Sequence, residues 1–193
     1  MKKVKVYLAG KVTNNNWREA VYNDKITVVE KGHRSRIKGE TIDSDSYDEY
    51  YDSEYDAGDF IVTGPHSIGC DHGCYHLGKH AAAEVDWENL KLTKDDVISA
   101  CCHQIDKSNV LFAYIDSCDC CGTIAEIGYA KAKGKYIFIL FKNKRLKKKL
   151  WFVDSMANFS CCRFDKKNED APIGGCVLLS VEMFKDGKCN YTV

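Results

Sequence analysis

The stretch that decides the fold is Val110-Leu-Phe-Ala-Tyr-Ile115-Asp-Ser-Cys-Asp-Cys-Cys-Gly122-Thr-Ile-Ala-Glu126-Ile-Gly-Tyr-Ala130-Lys-Ala-Lys-Gly134-Lys-Tyr136-Ile-Phe-Ile-Leu-Phe141. Its two ends, 110–115 and 136–141, carry no charged residue and alternate with nothing polar. Strands of that kind belong inside a sheet covered on both faces, and parallel neighbours need a crossover, usually a helix. The segment 122–133, rich in small residues, supplies it. The pattern predicts strand, helix, strand.

The same alternation extends outward. Val4 to Ala9 reads as a strand ending at Gly10, followed by a candidate helix over Asn14 to Tyr22 with asparagines available as caps. Ile26 to Val29 is a short strand between turn signals, and Phe60 to Thr63 a second sheet strand broken by Gly64 and Pro65. Lys94 to Lys107 has apolar residues at Val97, Ile98, Cys101, Cys102 and Ile105, the spacing of an amphipathic helix. Residues 161–193 carry Gly174, Gly175 and Gly187, and Val177 to Val181 is expected to form a small strand or hairpin in a C-terminal extension. The expectation is an α/β class chain, 1–193, forming one domain around a parallel sheet.

Composition narrows the function. The chain has 193 residues, with Lys+Arg and Asp+Glu equal at 28 each. A balanced charge argues against a surface built to grip nucleic acid polymer or an anionic membrane. Apolar runs stop far short of the roughly 20 residues that span a bilayer. Met1 to Lys11 is basic, but Lys5 and Lys11 confine its apolar stretch, so no signal peptide is expected there. Eleven cysteines, an odd number with adjacent pairs, fit reduced thiols better than a disulfide scaffold. A cytoplasmic location follows as the expectation.

The neutral total conceals two opposite blocks. Residues 43–59 hold eight acids and four tyrosines without helical or strand period, which reads as a solvated insertion. Lys142, Lys144, Arg145, Lys147, Lys148 and Lys149 form a basic cluster, read either as a solvated face, as a phosphate contact or as an answer to the insertion.

The turn after 110–115 is where ligands bind in open parallel sheets. Asp116 and Asp119 sit in it, Gly122 permits close backbone approach, and Glu126 lies about one turn into the helix. Exposed amides and the macrodipole would keep such a glutamate ionised, as suits a nucleophile. Gly128, Ala130 and Ala132 are expected to let the helix lie close on the sheet. An ordinary helix with a surface glutamate is the alternative.

This segment resembles the signature of the nucleoside 2-deoxyribosyltransferase family, Asp-Ser-Gly-Thr-x-x-Glu-Ile-Gly-x-Ala, through Gly122, Thr123, Glu126, Ile127, Gly128 and Ala130. Val6-Tyr7-Leu8-Ala9-Gly10 is similar to that family's first strand and turn. The resemblance is strongest over 95–141 and is absent over 30–95 and the last thirty residues. It implies a flavodoxin-like doubly wound parallel sheet in three layers. It further implies a retaining double displacement in which Glu126 attacks the anomeric carbon of a nucleoside or nucleotide, and the sugar passes to an acceptor base or to water. Tyr7, Gly10, Gly122 and Thr123 would then contact substrate. A loop carboxyl would serve the departing base. The acid expected six positions before the glutamate is Cys120 here, so Asp116 or Asp119 takes that role; a base-contacting aspartate of some members corresponds to Ala100, Cys101 and Cys102, with His103 nearby.

Two further segments bear on the site. His66 to His80 holds Cys70, His72, Cys74, His76 and His80, zinc-type ligands in a spacing foreign to common zinc modules, and no metal or cofactor is assigned. Following the second sheet strand, it could instead close over substrate with His66, Asp71, His72 or His76 as donors, or be a structural loop. Leu150 to Asn158 looks like the segment that a neighbouring subunit lends to the sugar end of the pocket in that family, which would place Ser155 and Asn158 on a ribose hydroxyl and make the protein a homodimer or higher homo-oligomer. An aromatic core helix is the other reading. Two functions of different class stay open beside the glycosidic enzyme: a catalytically silent nucleotide-binding or sensing module, and a zinc-stabilised interaction protein.

Overall fold

A computed structural model describes residues 2–11, 17–18, 21, 27–28, 54–65, 94–163 and 172–187. Among these residues seven strands form one sheet: β1 (Val4–Gly10), β2 (Thr27–Val28), β3 (Tyr55–Asp56), β4 (Phe60–Gly64), β5 (Val110–Ile115), β6 (Tyr136–Phe141) and β7 (Phe159–Cys162). They lie in the order β2-β3-β4-β1-β5-β6-β7. The five strands from β4 to β7 are parallel, while β2 and β3 attach antiparallel at one edge. Taken in chain order, the parallel strands run second, first, third, fourth, fifth, which is the flavodoxin-like arrangement.

The helices given by the described residues are α1 (Lys94–Lys107), α2 (Cys121–Ala132), α3 (Lys144–Lys149), α4 (Trp151–Asp154) and α5 (Ile173–Lys185). The strand period distributes the core between them. In β5 and β6, Val110, Phe112, Tyr114, Tyr136, Phe138 and Leu140 face one side, joined there by Ile173, Cys176, Val177 and Val181 of α5 and by Trp17 and Val21. Leu111, Ala113, Ile115, Ile137, Ile139 and Phe141 face the other, under Ile105 of α1, Ile127 and Ala130 of α2, and Val153 of α4. An unbroken apolar strand is thus consumed by two helical layers.

Five expectations change. Val177 to Val181 is helix rather than strand: Ile173, Cys176, Val177, Ser180 and Val181 are its buried residues, a spacing of three and four that only a helix presents to one face. What read as an extension is therefore a covering layer of the sheet. Residues 54–59 of the acidic segment are likewise folded. β3 pairs with β4, and the buried Glu54 takes ion pairs from Lys5 and Lys107. Ile98 of α1 is exposed, while Ala100, Gln104 and Ile105 are the buried positions. A side chain added at Gly128 would meet nothing within 4 Å and Ala132 is exposed, so only Ala130 serves close packing of α2. The aromatic pair Trp151 and Phe152 is 67% and 60% exposed, not core.

The basic cluster forms α3, exposed along most of its length. No described helix is long and apolar enough to cross a membrane.

Candidate functional site

Glu126 is the only carboxylate α2 carries, in the second turn of the helix. It points across the sheet surface toward β1, where the buried Tyr7 hydroxyl donates to its Oε1 at 2.6 Å. No other hydrogen bond reaches this carboxylate among the described residues. Behind β1 stands Arg18, 1% exposed. Its Nε donates to the Leu8 carbonyl at 2.9 Å, another guanidinium nitrogen donates to the Gly10 carbonyl at 2.8 Å, and the group lies 4.7 Å from the Trp17 ring centroid. From α1, the Cys101 thiol meets the Tyr7 hydroxyl.

Electrostatics corrects the expectation of a firmly ionised glutamate. As a residue Glu126 keeps some solvent contact, but its carboxylate is enclosed by protein, and burial pushes its pKa up to about 7 against the opposing pull of Tyr7 and Arg18. The macrodipole fades beyond the first helical turn, and Glu126 lies past it, so desolvation wins. Tyr7 is held well above its ordinary value by burial and by the Glu126 charge. Cys101 is pushed up to about 12 by burial first and by Glu126 second. Tyr7 and Cys101 therefore stay neutral beside a carboxyl that titrates near pH 7.

The turn above holds a second group. Asp119 is exposed and takes Lys11 Nζ at 2.5 Å; that hydrogen bond, with one from Ser117, lowers its pKa to about 2. An acid held so low does not protonate a leaving base. Asp116 is half-buried at the end of β5 and accepts from Ser117 Oγ at 3.1 Å. Cys120, standing where the family resemblance expects an acid, is buried, and burial raises its thiol to about 11. It is a packing residue. α2 opens without a side-chain cap.

The other expected contacts divide. A side chain at Gly122 would meet nothing within 4 Å, so this position is open to solvent. Thr123 is buried beneath α2. Gly10 is required for packing: a Cβ there would lie 3.0 Å from the Trp17 ring and from the Tyr114 carbonyl. Ser155 Oγ donates to the Trp151 carbonyl one turn back. Asn158 is committed at the opposite end of the sheet, its Oδ1 accepting from the Ile137 amide at 2.8 Å. A groove of about 350 Å³ lies at that amino edge, between Ser108, Lys135, Asn158 and Phe184, away from Glu126. His66, Asp71, His72 and His76, with Cys70, Cys74 and His80, lie outside the described residues.

Arg18 and Trp17 were not legible as site residues. Nothing in the spacing of Asn-Trp-Arg marks a buried cation, because its partners are backbone carbonyls of another element.

Tyr7→Phe removes the one donor to Glu126 among the described residues while keeping the ring. Because that hydrogen bond lowers the carboxyl pKa, its loss is expected to shift the Glu126 titration to higher pH. Carbon-13 NMR of labelled glutamate, comparing wild type and variant, measures this directly. An unchanged midpoint would remove Tyr7 from the account.

Compared with family models, with curated proteins and with solved structures, the chain matches none of them.

Proposed function

We propose that the protein cleaves or transfers the N-glycosidic bond of a nucleoside or nucleotide, with Glu126 as nucleophile. The observation carrying this reading is the geometry of that carboxylate: one oxygen fixed by the buried Tyr7 hydroxyl at 2.6 Å, the other without a protein partner among the described residues. In the first step Oε2 bonds to the anomeric carbon, and the electron pair of the carbon–nitrogen bond leaves with the base. In the second, an acceptor-base nitrogen or a water oxygen attacks the same carbon and releases the carboxylate.

Tyr7 and Arg18 serve as positioning residues, favouring the ionised glutamate that burial disfavours. Asp116 takes the base-handling role in this reading, since Asp119 is neutralised by Lys11. Asn158 is dropped from the sugar contacts because its amide carries part of the sheet edge. Approach of Ser155 from a second copy of the chain remains part of the proposal, and no cofactor is required by it.

Purine and pyrimidine nucleosides, deoxynucleosides and their monophosphates, each incubated with and without an acceptor base, provide the test. Chromatography is expected to show base release or exchange from at least one of them. Absence of release across the panel, with binding retained by calorimetry, would favour a silent nucleotide-binding module instead.

A further inference from the structure

The basic run from Lys142 to Lys149 and the aromatic pair after it become one surface through the way α3 and α4 pack. Asn143 caps α3, its Oδ1 accepting from the Leu146 amide at 3.0 Å. Leu146 and Leu150 turn inward against the core cluster that holds Ile127 and Val153. Lys147 leans the same way, its Nζ donating to the Ser160 carbonyl at 3.3 Å and lying 3.9 Å from Asp154. With that side committed, Lys144, Arg145, Lys148 and Lys149 lie on the solvent side, and Lys142 is exposed just before them. α4 follows after Leu150 alone and adds the exposed Trp151 and Phe152. Their rings meet edge to face, with centroids 5.8 Å apart and planes at 86°. No acid occurs from 142 to 153, and the next one, Asp154, is taken by the Ser160 hydroxyl and Lys147.

We propose that this face of α3 and α4 is a docking surface for a bilayer containing anionic lipid. Single exposed apolar residues are ordinary on a protein, but two large rings touching one another in water mark an interaction surface. The chemistry of the partner follows from what surrounds them. Exposed cations at 142, 144, 145, 148 and 149, with no acid among them, call for an anionic partner. Tryptophan and phenylalanine beside lysines suit the headgroup level of a bilayer, where the rings enter the interface and the ammonium groups stay with the lipid phosphates. A single-stranded nucleic acid instead needs ring faces as stacking platforms along a groove. Here the edge of one ring is set against the face of the other, and both stand in solvent.

The balanced total of 28 charges of each sign describes the whole surface. A bilayer meets one face only, and senses charge within about a Debye length, roughly 8–10 Å. Each cation held that close strengthens binding roughly fivefold. Cations and rings acting together give a reversible attachment, well short of a permanent anchor. Ser155 lies one turn beyond Trp151 and is tied to its carbonyl, so a bilayer and a second copy lending Ser155 exclude each other from this face. No part of the Glu126 chemistry is needed for the lipid contact.

Sedimentation of the full chain with lipid vesicles tests this. Vesicles of phosphatidylcholine with about 30% phosphatidylserine, in about 0.1 M salt, are expected to carry the protein into the pellet. Phosphatidylcholine alone should carry little of it, and about 0.5 M salt should release it from the mixed vesicles. Lys148→Gln together with Lys149→Gln is expected to weaken the partition roughly 25-fold. Trp151→Ser together with Phe152→Ser is expected to weaken it roughly tenfold or more. All four side chains are exposed, so both double variants should keep the fold, which circular dichroism checks. Wild-type protein that stays in the supernatant with anionic vesicles overturns the proposal, and so does binding that neither double variant weakens. Displacement from the vesicles by a single-stranded oligonucleotide at equal phosphate concentration would assign the face to nucleic acid. A stable dimer dissolved by the Trp151 and Phe152 substitutions would assign it to a second copy, and either result overturns the bilayer.

Discussion

Glu126→Gln is expected to lose base release by roughly 10⁴-fold and, at pH 8, to be more stable than the wild type. Both effects come from one carboxylate. The amide can still accept from Tyr7, so the geometry at 2.6 Å survives, but an amide oxygen does not form the glycosyl ester. The stability gain follows from burial, which raises the carboxyl from its ordinary 4.5 to about 7 in the folded protein. Below about pH 4.5 both folded and unfolded states hold the proton and nothing is lost. Between about 4.5 and 7 the unfolded chain ionises first, and stability falls as pH rises. Above about 7 the full cost of the buried charge is present, on the order of 3 kcal/mol. Glutamine escapes that cost. Urea unfolding of both proteins at pH 4 and pH 8 checks it: the gap should be present at pH 8 and close at pH 4. A variant less stable than wild type at pH 8 would contradict the burial argument. The activity of the wild type should correspondingly rise with pH through about 7, because only the ionised form attacks.

Arg18→Met is expected to cost about 3–5 kcal/mol of stability, the range for removing one member of a buried charged network. The guanidinium donates to the Leu8 and Gly10 carbonyls and lies over the Trp17 ring. Methionine fills much of the volume but donates nothing, and the two carbonyls lose a charge-assisted donor. The nearby positive charge also lowers the Glu126 pKa, so the variant should titrate that residue at higher pH. Arg18→Lys should recover part of the charge effect and little of the two-carbonyl geometry. Chemical denaturation and the pH midpoint are separate readouts. A loss below about 1 kcal/mol with an unmoved midpoint would make Arg18 a bystander.

The central fold was legible because its signals are local. Val110–Ile115 and Tyr136–Phe141 are strands with the predicted bounds, and Lys94–Lys107 is the predicted helix. An unbroken apolar run in a parallel strand needs no distant partner to be recognised. Val177 to Val181 misled for the opposite reason: two glycines and an apolar run resemble turn and strand, and only the sheet face beneath them selects the helix. The acidic segment misled through composition, because Glu54 is buried only where Lys5 and Lys107 neutralise it.

By itself, the sequence determined the β5–α2–β6 unit, the position of Glu126 after a ligand-edge turn, and the unusual Cys120 before it. Periodicity and residue type carry that information along the chain. The protonation balance of Glu126 was decided by tertiary structure, through a tyrosine from β1, an arginine behind it and the loss of water around the carboxylate. Desolvation and cross-element contact depend on what lies nearby in space, and no reading of neighbours along the chain contains them.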